Sequence, residues 1–320
     1  MTAPSPPCED PAVAGSRRPR ALSQADTATA TFEAHRSRLL RIAYRMLGAR
    51  SEAEDVVQEA WLRWVAADRS AVAAPYPFLA RIVTRLCLDQ MKSARARRET
   101  YVGAWLPEPL IEPEAEGVDE DDLTLTLMLA LERLSPLERA AFLLHDVFDL
   151  PLGAVADALG REAAAVRQLA VRARRHVRAA RPRFPVAREE GERIARAFFD
   201  ASTSGDVAAL RSLLARNAVL HSDGGGKVLA FRNPIAGLER LLRLFAGVRC
   251  KWGPDRAALV APLWIDGLPG YVSRERGGLV QTTALAIEEG RITAIYVTRN
   301  PDKLRHVASG LPGPGAGAPT

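Results

Sequence analysis

The stretch PLGAVADALGREAAAVRQLAVRARRHVR, residues 151–178, decides how this chain is read. A short segment, LGAVADAL, stops at Gly160, and glycine accepts the left-handed backbone that closes a helix. The pattern predicts a second helix from about Glu162. Within it Val166, Leu169, Ala170, Ala173 and Val177 stand at i, i+3, i+4, i+7 and i+11, one apolar face to pack on the first helix. The opposite face offers Arg167, Gln168, Arg172, Arg175 and Arg178, donors suited to guanine edges, adenine edges and phosphates. Residues 161–183 hold eight Arg, one His and a single acid, Glu162. A solvated surface helix would explain the charge alone. The glycine turn joined to an apolar face makes the segment a helix-turn-helix that binds nucleic acid.

Residues 123–183 carry this unit, and residues 29–98 form an earlier helical one. Around Leu39, Leu40, Ala43, Tyr44 and Leu47 the apolar spacing is helical and Gly48 ends the run. Ser51 is the expected N-cap of the next helix, with Glu52, Glu54 and Asp55 in its first turn. That helix has Glu52, Asp55, Gln58, Glu59 and Arg63 on one face and Val56, Ala60, Trp61 and Trp64 on the other. A third helix, from about Phe78 to Arg98, is basic: Arg81, Arg85, Lys92, Arg95, Arg97 and Arg98 stand against Asp89 alone. Residues 99–122 form a linker, and its part 108–122 has eight carboxylates and no Lys or Arg. Two cationic modules on one tether raise each other's effective concentration on a duplex.

From about Ala187 two helical stretches precede alternating segments. LVQTTALAI and ITAIYVT, joined by Glu-Glu-Gly-Arg, read as a β-hairpin. Helices followed by strands predict an α+β domain over residues 187–306. Residues 1–28 and 307–320, rich in Pro, Ala, Ser or Gly, read as a disordered leader and tail. The fold class is multidomain: two all-α domains, the second with the helix-turn-helix, then the α+β domain.

The chain has 320 residues, 48% of them hydrophobic, and a net charge of +6, enough for packed cores and favourable to a polyanionic partner. Cys8, Cys87 and Cys250 are odd in number and widely spaced, which indicates neither a disulfide framework nor a metal site. No apolar run is long enough to cross a bilayer, and Arg17-Arg18 is followed by no apolar stretch that would make a signal peptide. A cytoplasmic protein with no cofactor, metal or membrane partner is expected.

These segments resemble the sigma-70 family of bacterial RNA polymerase factors over residues 31–183. SEAEDVVQEAWLRW is similar to the helix that clamps the core polymerase, through its β′ and β subunits. FLARIVTRLCLDQMKSARARRE is similar to the helix that recognises and melts the proximal promoter element. LERLSPLERAAFLLHDVFDLPLGAVADALGREAAAVRQLAVRARRHVRA is similar to the domain that reads the distal element. Having only these two domains is the extracytoplasmic-function pattern. By position, the resemblance implies that Glu52, Asp55, Gln58 and Glu59 touch core. Arg85, Asp89, Lys92 and Ser93 would lie at the melted element, and Arg161, Glu162, Arg167, Gln168, Arg172 and Arg175 at the distal one.

Three further motifs, Trp105-Leu106-Pro107-Glu108-Pro109, Asp223-Gly224-Gly225-Gly226-Lys227 and Asn300-Pro301-Asp302-Lys303-Leu304, resemble the SigJ-like subgroup. Its extension is similar to the SnoaL and NTF2-like folds. The resemblance implies control in cis through contacts of these motifs with the sigma domains. A small ligand in the pocket of such a fold and a separate anti-sigma protein stay open. Two rivals remain: an enzyme using His221 and Asp223, which two apart on a strand share a face, and a helix-turn-helix regulator that never joins polymerase.

Overall fold

A computed structural model describes residues 24–99, 101–111, 125–178, 186–253, 257–275 and 277–311. The first unit holds α1 (Gln24–Leu47), α2 (Arg50–Ala66) and α3 (Pro75–Glu99). Helix α1 turns into α2 at Gly48, whose φ of 72° lies in the left-handed region. Helix α1 begins inside the segment expected to be a disordered leader. Ala28 is buried there and its carbonyl accepts the indole N–H of Trp64 at 3.0 Å, so packing extends the helix to Gln24. Residues 1–23 lie outside the described residues.

The second unit holds α4 (Leu125–Glu132), α5 (Pro136–Phe142), α6 (Leu152–Leu159) and α7 (Ala163–Arg178). Helix α5 opens with a capping box: Ser135 Oγ accepts from the Glu138 N–H at 3.3 Å while the Glu138 carboxylate accepts from the Ser135 N–H at 3.1 Å. Between α5 and α6 the chain makes a π-helical turn, Leu143–Val147. Helix α6 closes at Gly160 with φ 61°, and Val166, Leu169, Ala170, Ala173 and Val177 are the buried face of α7, as the spacing predicts.

The two helical units share one core. Leu39, Met46, Leu79, Val83 and Cys87 of the first belong to the same buried cluster as Leu131, Phe142, Leu143, Val155 and Val166 of the second. Helix α3 lies against α5 and α6. Arg139, 1% exposed, crosses this seam: its guanidinium donates to the carbonyls of Met46 at 2.7 Å and Leu131 at 3.0 Å and pairs with Glu132 at 2.7 Å. It thereby ties the last turn of α1 to the last turn of α4.

The third unit is α+β. After α8 (Arg188–Ser204) and α9 (Val207–Leu213) come β1 (Leu214–Asp223), β2 (Ile235–Ala236), α10 (Leu238–Trp252), β3 (Ala257–Ile265), β4 (Leu268–Glu275), β5 (Val280–Glu288), β6 (Arg291–Thr298) and α11 (Arg305–Gly310). The sheet order is β2-β1-β6-β5-β4-β3, with β1 and β6 parallel and the other neighbours antiparallel. The β5–β6 hairpin turns at Glu289 and Gly290, φ 50° and 71°, where the sequence placed it. The order differs from helices followed by strands, because β1 and β2 precede α10. The expected disordered tail also starts too early: Val307 is buried with Leu304 beneath Val272 and Val280.

One face of the sheet packs on α8, α9 and α10 through Phe198, Phe199, Leu210, Leu220, Phe245, Tyr271, Leu285 and Ile295. Phe198 meets Phe245 and Phe199 meets Tyr271 edge to face, at 5.5 and 5.2 Å between centroids. The other face, with Ala284, Ala286, Ala294 and Tyr296, packs on Leu106 of the linker and on Leu125 and Leu129 of α4. The extension therefore holds the linker and the second helical unit with the back of its sheet.

Candidate nucleic-acid interface and linker joint

The predicted distal-element residues gather on the outside of α7 and the turn before it. Arg161, Glu162, Arg167, Gln168, Arg172 and Arg175 are all exposed. Arg172 Nε donates to Glu138 of α5 at 2.8 Å, and Arg174 pairs with Asp146 at 2.7 Å, so these two arginines lean back on their own domain. The predicted proximal-element residues lie on α3, where Asp89 and Lys92 form an exposed pair at 2.8 Å. Lys92 holds the Asp89 carboxyl below its usual range. Arg85 is engaged elsewhere: its guanidinium donates to the carbonyls of Asp157 at 3.0 Å and Ala158 at 3.2 Å, in the last turn of α6. A cation there answers the helix dipole. Ser93 lies in α3.

On α2, Asp55 and Gln58 are exposed, Glu52 and Glu59 half-buried, and Glu59 accepts from Arg63 at 2.9 Å. Leu62 and Val65 are exposed on the same helix. Ser51 does not cap it. The helix starts at Arg50 after Ala49, which has no capping side chain, and the cap arrives from the linker: Glu108 Oε2 accepts the Arg50 N–H at 2.6 Å. A carboxylate at a helix N-terminus satisfies an orphan donor and meets the positive end of the dipole.

Two polar hubs grip the linker. The first is Asp223, fully buried. Its carboxylate accepts from the Tyr101 hydroxyl at 2.5 Å, the Lys303 ammonium at 2.8 Å, and the N–H groups of Leu106 at 2.9 Å and Gly225 at 3.0 Å. Lys303 also donates to the Leu106 carbonyl and stands over the Trp105 ring, 4.3 Å from its centroid. Asn300 donates to the Tyr101 hydroxyl at 2.9 Å and accepts the Asp302 N–H at 3.1 Å. Lys227 pairs with Asp302, not with Asp223, so each charge beside the glycines answers the third motif. Gly225 and Gly226 have φ of 62° and 71°, and a side chain at Gly225 would collide with Asn300. Pro301 starts the turn and Leu304 anchors it from the core. Pro107 is buried in the linker beside Glu108. All three motifs thus meet in one joint.

The second hub was not foreseen. The Tyr44 hydroxyl lies 2.7 Å from the Glu108 carbonyl and 2.9 Å from Asp266 Oδ1, and burial followed by Asp266 pushes its pKa well up. The Leu110 N–H reaches Asp266 Oδ2 at 3.3 Å, and Ile111 forms a β-bridge with Ile265. His306 of α11 donates from Nε2 to the Pro109 carbonyl at 2.7 Å and sets Nδ1 3.2 Å from Glu108 Oε1. The Glu108 contact raises the His306 pKa although burial opposes it. Burial pushes Glu108 upward, but His306 and the Arg50 N–H outweigh it and hold the carboxyl low. The sequence did signal Asp266: Ile265-Asp266-Gly267-Leu268 is a two-residue hairpin turn, with φ of 47° and 69° at its centre. The acidic stretch 112–122 lies outside the described residues.

Comparison with known proteins agrees with this architecture. The family profile Sigma-70 region 2 matches residues 31–97, and Sigma-70, region 4, matches residues 124–177. The chain is 38% identical over 292 residues to the ECF RNA polymerase sigma factor SigJ of Mycobacterium tuberculosis, covering 85% of this chain and 91% of that one. It is 33% identical over 298 residues to the probable ECF RNA polymerase sigma factor SigI of the same species, 91% of this chain and 100% of that one. The crystal structure of Mycobacterium tuberculosis SigJ superposes with a TM-score of 0.69 at 32% identity, over 89% of this chain and all of that one. Helical domains that match sigma-70 regions 2 and 4, and relatives matched through the extension as well, place the chain: it belongs to the extracytoplasmic-function RNA polymerase sigma factors of the sigma-70 family.

Proposed function

We propose that this sigma factor, which binds core polymerase and promoter DNA to start transcription, is held by its own extension in a closed arrangement that cannot engage a promoter. The observation that carries the reading is the single core shared by the two helical units, with Arg85 spent on α6. Two modules packed on one another cannot span two elements of one duplex. Opening exposes their apolar faces, and the extension opposes opening by fixing the linker at Asp223 and Asp266. Core polymerase, by binding the open form better, shifts the equilibrium.

Within this reading Glu52, Asp55, Gln58 and Glu59 meet core. Arg85, once released from α6, joins Asp89, Lys92 and Ser93 at the melted strand. Arg161, Glu162, Arg167, Gln168, Arg172 and Arg175 meet the distal element. The extension works as a clamp, not an enzyme: the Asp223 carboxylate already accepts four hydrogen bonds, and His221 stacks on Tyr296 at 5.4 Å, its pKa lowered by burial and then by Arg133.

The test is run-off transcription with limiting core polymerase. Lys303→Met in the full chain, and separately a chain ending at Arg299, should each raise output several-fold over the intact chain. Unchanged output from both would remove the clamp from the account and leave the sigma activity standing.

A further inference from the structure

The exposed ridge of α7 is interrupted by an apolar residue. Val171 is 48% exposed, among the few large hydrophobic side chains exposed in the described residues. It stands in line with Ala164, Gln168 and Arg175, at helical spacing opposite the buried face of Val166, Ala170, Ala173 and Val177. Arg172 and Arg174 sit to either side of that line and turn back to Glu138 and Asp146. The residue at the middle of the outward ridge is thus valine, with Gln168 one turn before it and Arg175 one turn after.

In a helix-turn-helix the outward ridge of the second helix enters the major groove. From Ala164 to Arg175 the ridge spans about 16 Å of helix axis, comparable with roughly five base-pair steps. Gln168 and Arg175 can donate to base edges or phosphates there. A valine can do neither. The major groove has one apolar feature for it to meet, the 5-methyl group of thymine. Ala164, small at the start of the ridge, lets the helix approach closely enough for a short side chain to make that contact.

We propose that Val171 is a specificity-determining residue of the distal element and reads the 5-methyl group of one thymine. This rests on the reading of α7 as the distal-element helix. Gln168 and Arg175 fix the register, and Val171 discriminates thymine from cytosine, which has no methyl group at the same place. A buried methyl group contributes about a four-fold change in affinity, a preference rather than an absolute requirement.

The experiment uses holoenzyme assembled from core polymerase and the full chain, titrated onto labelled promoter duplexes. Each thymine of the distal element, on either strand, is replaced in turn by deoxyuridine, which removes the methyl and leaves the pairing. At one position the intact protein should lose about four-fold in affinity. Val171→Ala should bind the parent promoter more weakly by a similar factor and be indifferent to that replacement, while its affinity for core stays unchanged. The assignment is overturned if no replacement weakens binding, or if the same replacement weakens Val171→Ala equally. In both cases normal run-off transcription keeps the sigma reading intact. A holoenzyme that starts no transcript would defeat that reading and this assignment together.

Discussion

Glu108 shows how much one side chain settles. Its carboxylate caps α2 of the first helical unit, and the same carboxylate holds His306 of the extension. Protonation of His306 and ionisation of Glu108 therefore both favour the joint. A histidine whose pKa rises on folding stabilises fully below its unfolded value, about 6.5, and the contribution vanishes as pH climbs through the raised value. The depressed Glu108 contributes above its own unfolded value, about 4.3, and loses that contribution as pH falls through the lowered one. The grip should thus be strongest between these limits and loosen on the alkaline side. Melting temperature of the full chain across pH 5–9 should show the alkaline decline, and His306→Gln should flatten it. An identical profile in the variant would free His306 of this role. Cysteine gives a second residue-level expectation. The Cys87 thiol is buried, and burial, then Glu52, pushes its pKa up, whereas Cys250 is exposed. A thiol reagent should reach Cys250 in the native protein and Cys87 only after unfolding.

Among the elements, the most periodic were legible and the ones defined by partners were not. Helix α7 could be read residue by residue, because its five buried positions follow the helical spacing and Gly160 marks its start. The β5–β6 hairpin was equally plain, since alternation and Glu289-Gly290 agree. The first residues of α1 hid in a polar segment because the Trp64 indole and the core that takes up Ala28 lie far along the chain. The cap of α2 was assigned to Ser51 on local pattern, while Glu108, distant in sequence, does the work. The three motifs of the joint were recognised as a set. Tyr101, Tyr44 and His306, which complete it, belong to no motif and became visible only when the chain was folded, whereas Asp266 carried the signal of a hairpin turn and none of its role in the joint. Arg139 is a further case: basic residues on a short helix are ordinarily exposed, yet this one ties α1 to α4. Arg139→Met should lower stability by about 3–5 kcal/mol, because it strips the buried seam of an ion pair with Glu132 and of the donor to the Met46 carbonyl. Chemical denaturation measures it, and a loss within 1 kcal/mol would show that the seam carries little of the stability.

At the scale of the molecule, the extension uses the back of its sheet as a bracket, and both helical units and the linker lie against it or one another. A compact chain of this length has a radius of gyration of about 20 Å. Small-angle scattering of the intact chain should approach that figure, and Lys303→Met should expand it. Equal scattering of the two would mean that the bracket holds without this joint. The pairing of β1 with β6 has a consequence for how the protein is born. The strand that completes the bracket, and the motif that seizes Asp223, leave the ribosome well after the two helical units. At bacterial elongation speeds, translation from the end of α7 to Lys303 takes on the order of ten seconds. If the extension is the clamp proposed above, each newly made copy carries its two sigma-70 modules unrestrained throughout that interval, and silence comes only afterwards.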